Sequence, residues 1–160
     1  MIFVTLGSQK FPFDRLLQKL DELIAQGAIT DRVLAQSGSC TYAPQHFEAV
    51  PFMDRQTFAS HMAQADLVIT HGGTGAIMGG VKNGKKVIAI PRRPKYGEHV
   101  DDHQQQIVEQ FGQLGLIEPC YQVEDLPSAL EKAKTATYRP YESTSHILLE
   151  DLSAYLESVL

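Results

Sequence analysis

Residues 66–75 read Asp-Leu-Val-Ile-Thr-His-Gly-Gly-Thr-Gly, and this stretch restricts the fold more than any other. Asp66–Thr70 is a short, near-continuous apolar run of the kind buried on both faces, which is the environment of a parallel sheet covered by helices on either side. It ends in a glycine-rich turn, and a helix starts near Thr74. The same succession of β-like run and helical stretch recurs along the chain. Ile2–Leu6, Arg32–Gln36, Glu48–Phe52 and Lys86–Ile90 are the other short apolar runs, the last stopped by Pro91. Between them, apolar residues fall at helical spacing: Leu16, Leu17, Leu20, Leu23 and Ile24, with Pro12 near the first turn, then Phe58, Met62 and Ala65 behind a capping Asp54. Ala76–Val81 is ended by Asn83-Gly84. Val100–Leu114 and Glu124–Lys134, the second opened by an acidic turn, follow as helices. A last helix is predicted over Thr144–Leu160.

Strands alternating with helices imply right-handed β-α-β units. The chain therefore reads as α/β: a doubly wound parallel sheet, Rossmann-like, in a single domain over 1–160. Its 160 residues suffice for a hydrophobic core without a disulfide or metal staple. Cys40 and Cys120 are far apart and lack metal-type spacing, so they read as two ordinary thiols in a reducing compartment. With 14 Lys+Arg against 19 Asp+Glu the net charge is −5, which argues against a nucleic-acid binder needing a basic face. No apolar run approaches the roughly 20 residues that span a bilayer, and Met1–Leu6 lacks the basic start of a signal peptide. A cytoplasmic location is the expectation.

In doubly wound sheets a ligand binds beyond the carboxyl ends of the strands where the winding reverses. With the common strand order the first and fourth strands are neighbours there. Their following loops, Gly7-Ser8-Gln9-Lys10 and His71-Gly72-Gly73-Thr74-Gly75, then define the crevice. The second loop leads into a helix whose first N–H groups are unpaired and carry partial positive charge, a ready seat for phosphate. Glycines allow close approach of the backbone, and Thr74 adds a hydroxyl. A glycine-rich turn with no ligand is the bland alternative. Gly79-Gly80 in the same helix costs about 1 kcal/mol each against alanine, which tight packing or an approaching ligand would justify.

Val100, Ile107, Phe111 and Leu114 form one apolar stripe at about 100° per residue, and Gln104 falls within it at the ligand-facing end. A polar side chain there needs a partner, either a substrate hydroxyl or a neighbouring loop carbonyl. His46, His61 and His146 are isolated and read as surface or capping residues. The crowded Glu98, His99, Asp101, Asp102 and His103 need no metal, because acids at a helix start are explained by the helix dipole. Arg92, Arg93 and Lys95 form a basic loop, either a solvated turn or a contact for an anionic partner such as a lipid diphosphate.

Several nucleotide and hydrolase classes drop out. After the first strand the chain reads Gly7-Ser8-Gln9-Lys10-Phe11-Pro12, not G-x-G-x-x-G. The second strand ends near Gln36, where a dinucleotide site would carry an acidic residue for the ribose. Neither a Walker A sequence nor a G-x-S-x-G nucleophile elbow is present.

Val4-Thr5-Leu6-Gly7-Ser8, Phe13-Asp14-Arg15-Leu16, Ala65–Gly75 and Glu98–Gln104, taken in order, resemble the glycosyltransferase family 28 C-terminal domain. The likeness is to its short stand-alone form, found in two-chain UDP-sugar transferases of bacterial exopolysaccharide and capsule synthesis and in the dolichol-linked chitobiose synthase. The resemblance covers nearly the whole chain. It implies the donor-binding lobe of a GT-B enzyme, using a UDP-sugar as donor substrate with no metal and no further cofactor.

By that resemblance His71 and the amides of Gly72, Gly73, Thr74 and Gly75 hold the diphosphate. Asp102 and Gln104 read the donor-sugar hydroxyls, Phe52 and Met53 hold uracil, and Gly7 and Ser8 line the crevice. One departure is plain: where relatives often carry a ribose-binding glutamate, this chain has Met78-Gly79-Gly80. The resemblance further implies an inverting transfer of a hexose, glucuronate or N-acetylhexosamine to a lipid-linked saccharide. The general base and the acceptor site would belong to a membrane-associated partner subunit, which would hold this chain at the inner face of the membrane. A non-catalytic regulatory or scaffolding subunit that kept the nucleotide-binding fold is the competing reading.

Overall fold

The computed structural model describes residues 1–6, 11–99 and 101–140. Gly7 and Ser8, Val100 and the helix expected over Thr144–Leu160 lie outside the described residues. The strands are β1 (Ile2–Thr5), β2 (Val33–Gln36), β3 (Glu48–Val50), β4 (Leu67–His71), β5 (Lys86–Ile90) and β6 (Glu118–Pro119). The helices are α1 (Asp14–Ala25), α2 (Arg55–Gln64), α3 (Thr74–Lys82), α4 (His103–Gln113) and α5 (Leu126–Thr135). All neighbouring strands pair in parallel in the order β3-β2-β1-β4-β5-β6. The winding reverses between β1 and β4, as the sequence predicts, and Val4 pairs with Ala35 on one side and Ile69 on the other.

The apolar runs of β1, β4 and β5 are central, and their alternate residues enter two cores. Val4, Leu6, Ile69, Ile88 and Ile90 pack under α1 and α5. Phe3, Val68, Val87 and Ala89 pack under α2, α3 and α4. Gly80 is explained by packing, since a Cβ there would lie 2.6 Å from Val87 Cγ2, whereas a Cβ on Gly79 would meet nothing within 4 Å. Asp54 caps α2 by accepting the Thr57 N–H at 2.7 Å.

Four details differ from the sequence reading. α1 begins at Asp14, not at Pro12, because the Asp14 carboxylate turns to accept the N–H groups of Thr41 and Tyr42 at 2.8 and 2.9 Å. α4 begins at His103 rather than Val100. The acidic turn at Glu124 is a 3₁₀ turn, Val123–Asp125, ahead of α5. β6 is a sixth strand of two residues, too short to show a period. Its pairing is continued by the Cys120 N–H, which donates to the Ala89 carbonyl at 3.0 Å.

The buried carboxylate of Asp21, on the inner face of α1, ties down the 42–46 loop. It accepts the Tyr42 hydroxyl at 2.6 Å and the Gln45 and His46 N–H groups at 2.8 and 2.9 Å. Burial works to raise its pKa, but these bonds outweigh that and hold it below the ordinary aspartate value.

Candidate functional site

The carboxyl ends of β1, β4 and β5 meet a cluster of buried polar residues: Thr5, Thr70, His71, Arg92, Glu98 and Gln104. Buried polar groups must be partnered, and following their partners builds the site.

Gln104, in the first turn of α4, is 5% exposed. Its Oε1 accepts the Gly72 N–H at 3.1 Å and the Arg92 N–H at 3.0 Å, so one carboxamide staples the β4–α3 turn to the β5–α4 turn. Its sequence-stripe position foretold a buried polar group, but the partners are N–H donors of two loops rather than a loop carbonyl. With both acceptor sites of Oε1 filled, its Nε2 is all that this side chain can offer a sugar hydroxyl.

That same pattern fixes the imidazole. Because Oε1 faces two donors, the other end of the carboxamide is the NH₂ group, and it lies 3.3 Å from His71 Nδ1. Nδ1 therefore accepts, and the ring proton is assigned to Nε2 from the hydrogen-bond network. Burial, then the charge of Arg92, push the His71 pKa down to about 3. The imidazole is neutral at physiological pH and presents Nε2–H as a donor.

Two glycines of the turn are explained by sterics. A Cβ on Gly73 would lie 2.3 Å from His71 Cε1, so the imidazole rests on the Gly73 backbone. A Cβ on Gly72 would come within 2.8 Å of both the Cβ and the carbonyl oxygen of Gln104. Gly75 differs, being exposed with nothing within 4 Å of a notional Cβ. α3 starts at Thr74 with Gly73 as its N-cap, and the N–H groups of its first turn have no partner inside the helix. The Gly72 N–H, included in the diphosphate set by resemblance, is already taken by Gln104. The donors that the turn leaves available to a ligand are thus the amides from Gly73 onward, Thr74 Oγ1 and His71 Nε2.

Phe52 and Met53 lie just beyond β3. Phe52 is 58% exposed, while Met53 packs against the core beneath α2. The Met53 N–H donates to Gln36 Oε1 at 3.2 Å. Gln36, the residue that spoils a dinucleotide reading, thus positions this segment instead. β2 and β1 separate it from β4, so a ligand touching both Phe52 and His71 must lie across the ends of the two intervening strands. Asp102, at the N-cap position of α4, is 62% exposed in its side chain and accepts from Arg93 Nε at 2.9 Å.

Within the basic loop Lys95 is exposed, but Arg92 is not solvated. Arg92 is 1% exposed, and its Nη2 donates to the Leu6 carbonyl at 2.6 Å. Nearby, the buried Glu98 carboxylate accepts Arg15 Nε and Nη2 at 3.0 and 3.1 Å and the Arg93 N–H at 3.0 Å. Arg15 also lies over the Tyr96 ring, its Cζ 4.1 Å from the centroid. This pair fastens the start of α1 to the β5–α4 turn, which explains why Arg15 and Glu98 belong to the motif set. The signal that could have marked Arg92 is its position, immediately beyond an unbroken apolar strand that ends at the sheet's carboxyl edge.

Buried strands delivering a glycine turn, a neutral histidine and an open helix start to the reversal point define an open α/β domain whose donors gather where such folds bind ligands. The family model of the glycosyltransferase family 28 C-terminal domain matches residues 1–155, and the chain belongs to that family. A curated relative, the UDP-N-acetylglucosamine transferase subunit ALG13 of Saccharomyces cerevisiae, is 33% identical over 78 residues, 48% of this chain and 37% of that protein. The matched segment is thus little more than a third of the curated relative's length.

Three solved structures share the fold. An NMR solution structure of ALG13 has a TM-score of 0.63 at 22% identity, covering 94% of this chain and 93% of that one. The glycotransferase of kitacinnamycin has a TM-score of 0.62 at 18% identity, covering 98% and 39%. Acinetobacter baumannii MurG has a TM-score of 0.56 at 20% identity, covering 82% and 40%. In the last two this chain corresponds to about two fifths of the longer protein.

Proposed function

We propose that this chain is the donor-binding catalytic subunit of a UDP-sugar glycosyltransferase. The observation that carries the reading is the β4–α3 turn, where unpaired helix N–H groups and His71 Nε2–H converge at the sheet reversal in a family of transferase domains. The order of groups along the sheet edge supports a UDP orientation. Uracil lies against Phe52 and Met53, the ribose crosses the ends of β2 and β1, and the diphosphate rests on the turn. The donor sugar then extends towards Asp102 at the start of α4. Gly79, the position without the family glutamate, is open, so the ribose contacts come from another part of the chain or from a partner.

In the reaction an acceptor hydroxyl attacks the anomeric carbon from the face opposite UDP. The bond from that carbon to the β-phosphate oxygen breaks, and the configuration inverts. UDP leaves with the bonding electrons, and the hydroxyl proton goes to a base outside this chain. Preorganised N–H donors aimed at the diphosphate stabilise the charge growing there. A hexose, glucuronate or N-acetylhexosamine passes to a lipid-linked saccharide supplied by a membrane-associated partner subunit. One support bears on the partner: the curated relative is named a transferase subunit. Among the described residues no helix is long and apolar enough to cross a membrane. Attachment at the inner membrane face is assigned to the partner in this reading.

Titration calorimetry of the chain with UDP tests the donor assignment. Binding at or below millimolar concentration is expected, and His71→Ala should weaken it about tenfold, the worth of one hydrogen bond to a charged group. No heat at millimolar UDP would sink the reading. Full transferase activity of the assembled complex carrying His71→Ala would favour the regulatory-subunit alternative.

A further inference from the structure

Arg92 is a buried cation with no carboxylate within ion-pair distance among the described residues. Glu98, whose charge reaches it, spends its oxygens on Arg15 and the Arg93 N–H. One of its nitrogens, Nη2, bonds the Leu6 carbonyl, while Nε and Nη1 have no partner among the described residues. Burying a charge whose donors are unmade is costly, and native structures seldom keep such groups without a use.

The topology locates the guanidinium. Arg92 follows β5, Leu6 follows β1, and β4 lies between them. A side chain joining the two therefore crosses two strand spacings, about 9–10 Å, passing the carboxyl end of β4 where His71 sits. Its charge depresses the His71 pKa, so the two groups share one neighbourhood. A neutral histidine donor, helix-start amides and an unpaired buried cation together form a receptor for an oxyanion with several oxygens.

We propose that Arg92 is a buried anion receptor at the floor of the crevice, giving its unpaired Nε–H to an oxygen of the diphosphate seated on the β4–α3 turn. This deepens the donor-binding reading and rests on it for the identity of the anion. The Leu6 bond keeps the guanidinium in place before ligand arrives, so little side-chain freedom is lost on binding.

The test uses the full chain with uridine, UDP and inorganic pyrophosphate as probes, in wild type, Arg92→Lys and Arg92→Met. In Arg92→Met the affinities for UDP and pyrophosphate should fall at least about tenfold, the worth of hydrogen bonds to a charged group. Uridine affinity should hold, and Arg92→Lys should lie between. Equal losses for uridine and UDP would mean that Arg92 merely secures Leu6, and would overturn the proposal. So would an unchanged UDP affinity, which leaves the donor reading standing. Arg92-dependent pyrophosphate binding without UDP binding would sustain the receptor and remove the donor reading, and absence of both would remove both. Should Arg92→Met not fold, NMR of arginine-labelled wild type decides. The Arg92 Nε–H resonance should move downfield on adding pyrophosphate, and a resonance that does not move overturns the proposal.

Discussion

The two edges of the sheet are built on different rules. At the carboxyl edge, polar groups are buried and spend their bonds on one another: Gln104 on two loops, Glu98 on Arg15 and Arg93, Thr70 on the Thr5 carbonyl at 3.0 Å. The amino edge has clefts of about 450 Å³ beside Val81 and Arg139 and about 380 Å³ beside Ile2 and Leu130. Yet its signature ion pair, the Met1 ammonium with Asp66 at 2.6 Å, leaves the Asp66 side chain 79% exposed. Space alone does not mark a site. Desolvated polar groups held at a cost to stability do, and here they sit where the winding reverses.

Removing one charge from each edge puts that contrast to the test. Glu98→Gln leaves Arg15 and Arg92 near each other with no carboxylate, at a position 3% exposed. Breaking a buried pair costs 3–5 kcal/mol, and the partial exposure of Arg15 places the expected loss near the lower end, about 3 kcal/mol. Asp66→Asn removes a pair open to water and should leave the urea midpoint in place. Equal effects in chemical denaturation would break the distinction between the edges.

The carboxyl edge was only half legible in the sequence, and the physics explains which half. The β4–α3 turn is a local object: strand, glycines and helix start are contiguous, so its anion-binding character follows from order alone. Gln104 was visible as a polar break in an apolar stripe, but not its double role, since its partners lie 32 and 12 residues away. Arg92 was misread. Pro91-Arg92-Arg93-Pro94-Lys95 has the composition of a solvated turn, and the burial of Arg92 depends on the residue before α1, Phe13, whose ring centroid lies 5.7 Å from the Arg92 guanidinium carbon. β6 was missed for a related reason: two residues, one of them a proline, carry no period, and only the neighbouring β5 makes them a strand.

Acid should expose the cost of the carboxyl edge next. His71 is held at about pKa 3 in the fold, against about 6.5 in an unfolded chain. Between those values the unfolded state binds a proton that the native state refuses. This contribution is therefore intact above pH 6.5 and is lost as the pH falls below it, by at most about 1.4 kcal/mol per pH unit. In His71→Asn, whose amide oxygen can still accept from Gln104, stability should fall less steeply between pH 6.5 and 5. Parallel curves for variant and wild type would show that the histidine is not desolvated as the geometry requires.

The smallest effects come from two glycines two residues apart, and they separate packing from ligand space within one turn. Gly73→Ala drives a methyl group into the His71 ring, 2.3 Å from Cε1, so the imidazole must leave its bond to Gln104. The expected loss is about 1–3 kcal/mol, the range for overpacking, with weaker UDP binding as a consequence. Gly75→Ala meets no atom of the protein and sits in the first turn of α3. There alanine should be neutral or stabilising by about 0.4–1 kcal/mol, through the lower entropy of the unfolded chain. If the open space above Gly75 is where the diphosphate rests, Gly75→Ala should weaken UDP binding with no loss of stability, since the new methyl stands in the ligand's place. Such a split can arise only if the glycine is kept for something absent from the free chain. Unchanged UDP affinity in Gly75→Ala would move the diphosphate off the helix start and towards Arg92 and His71.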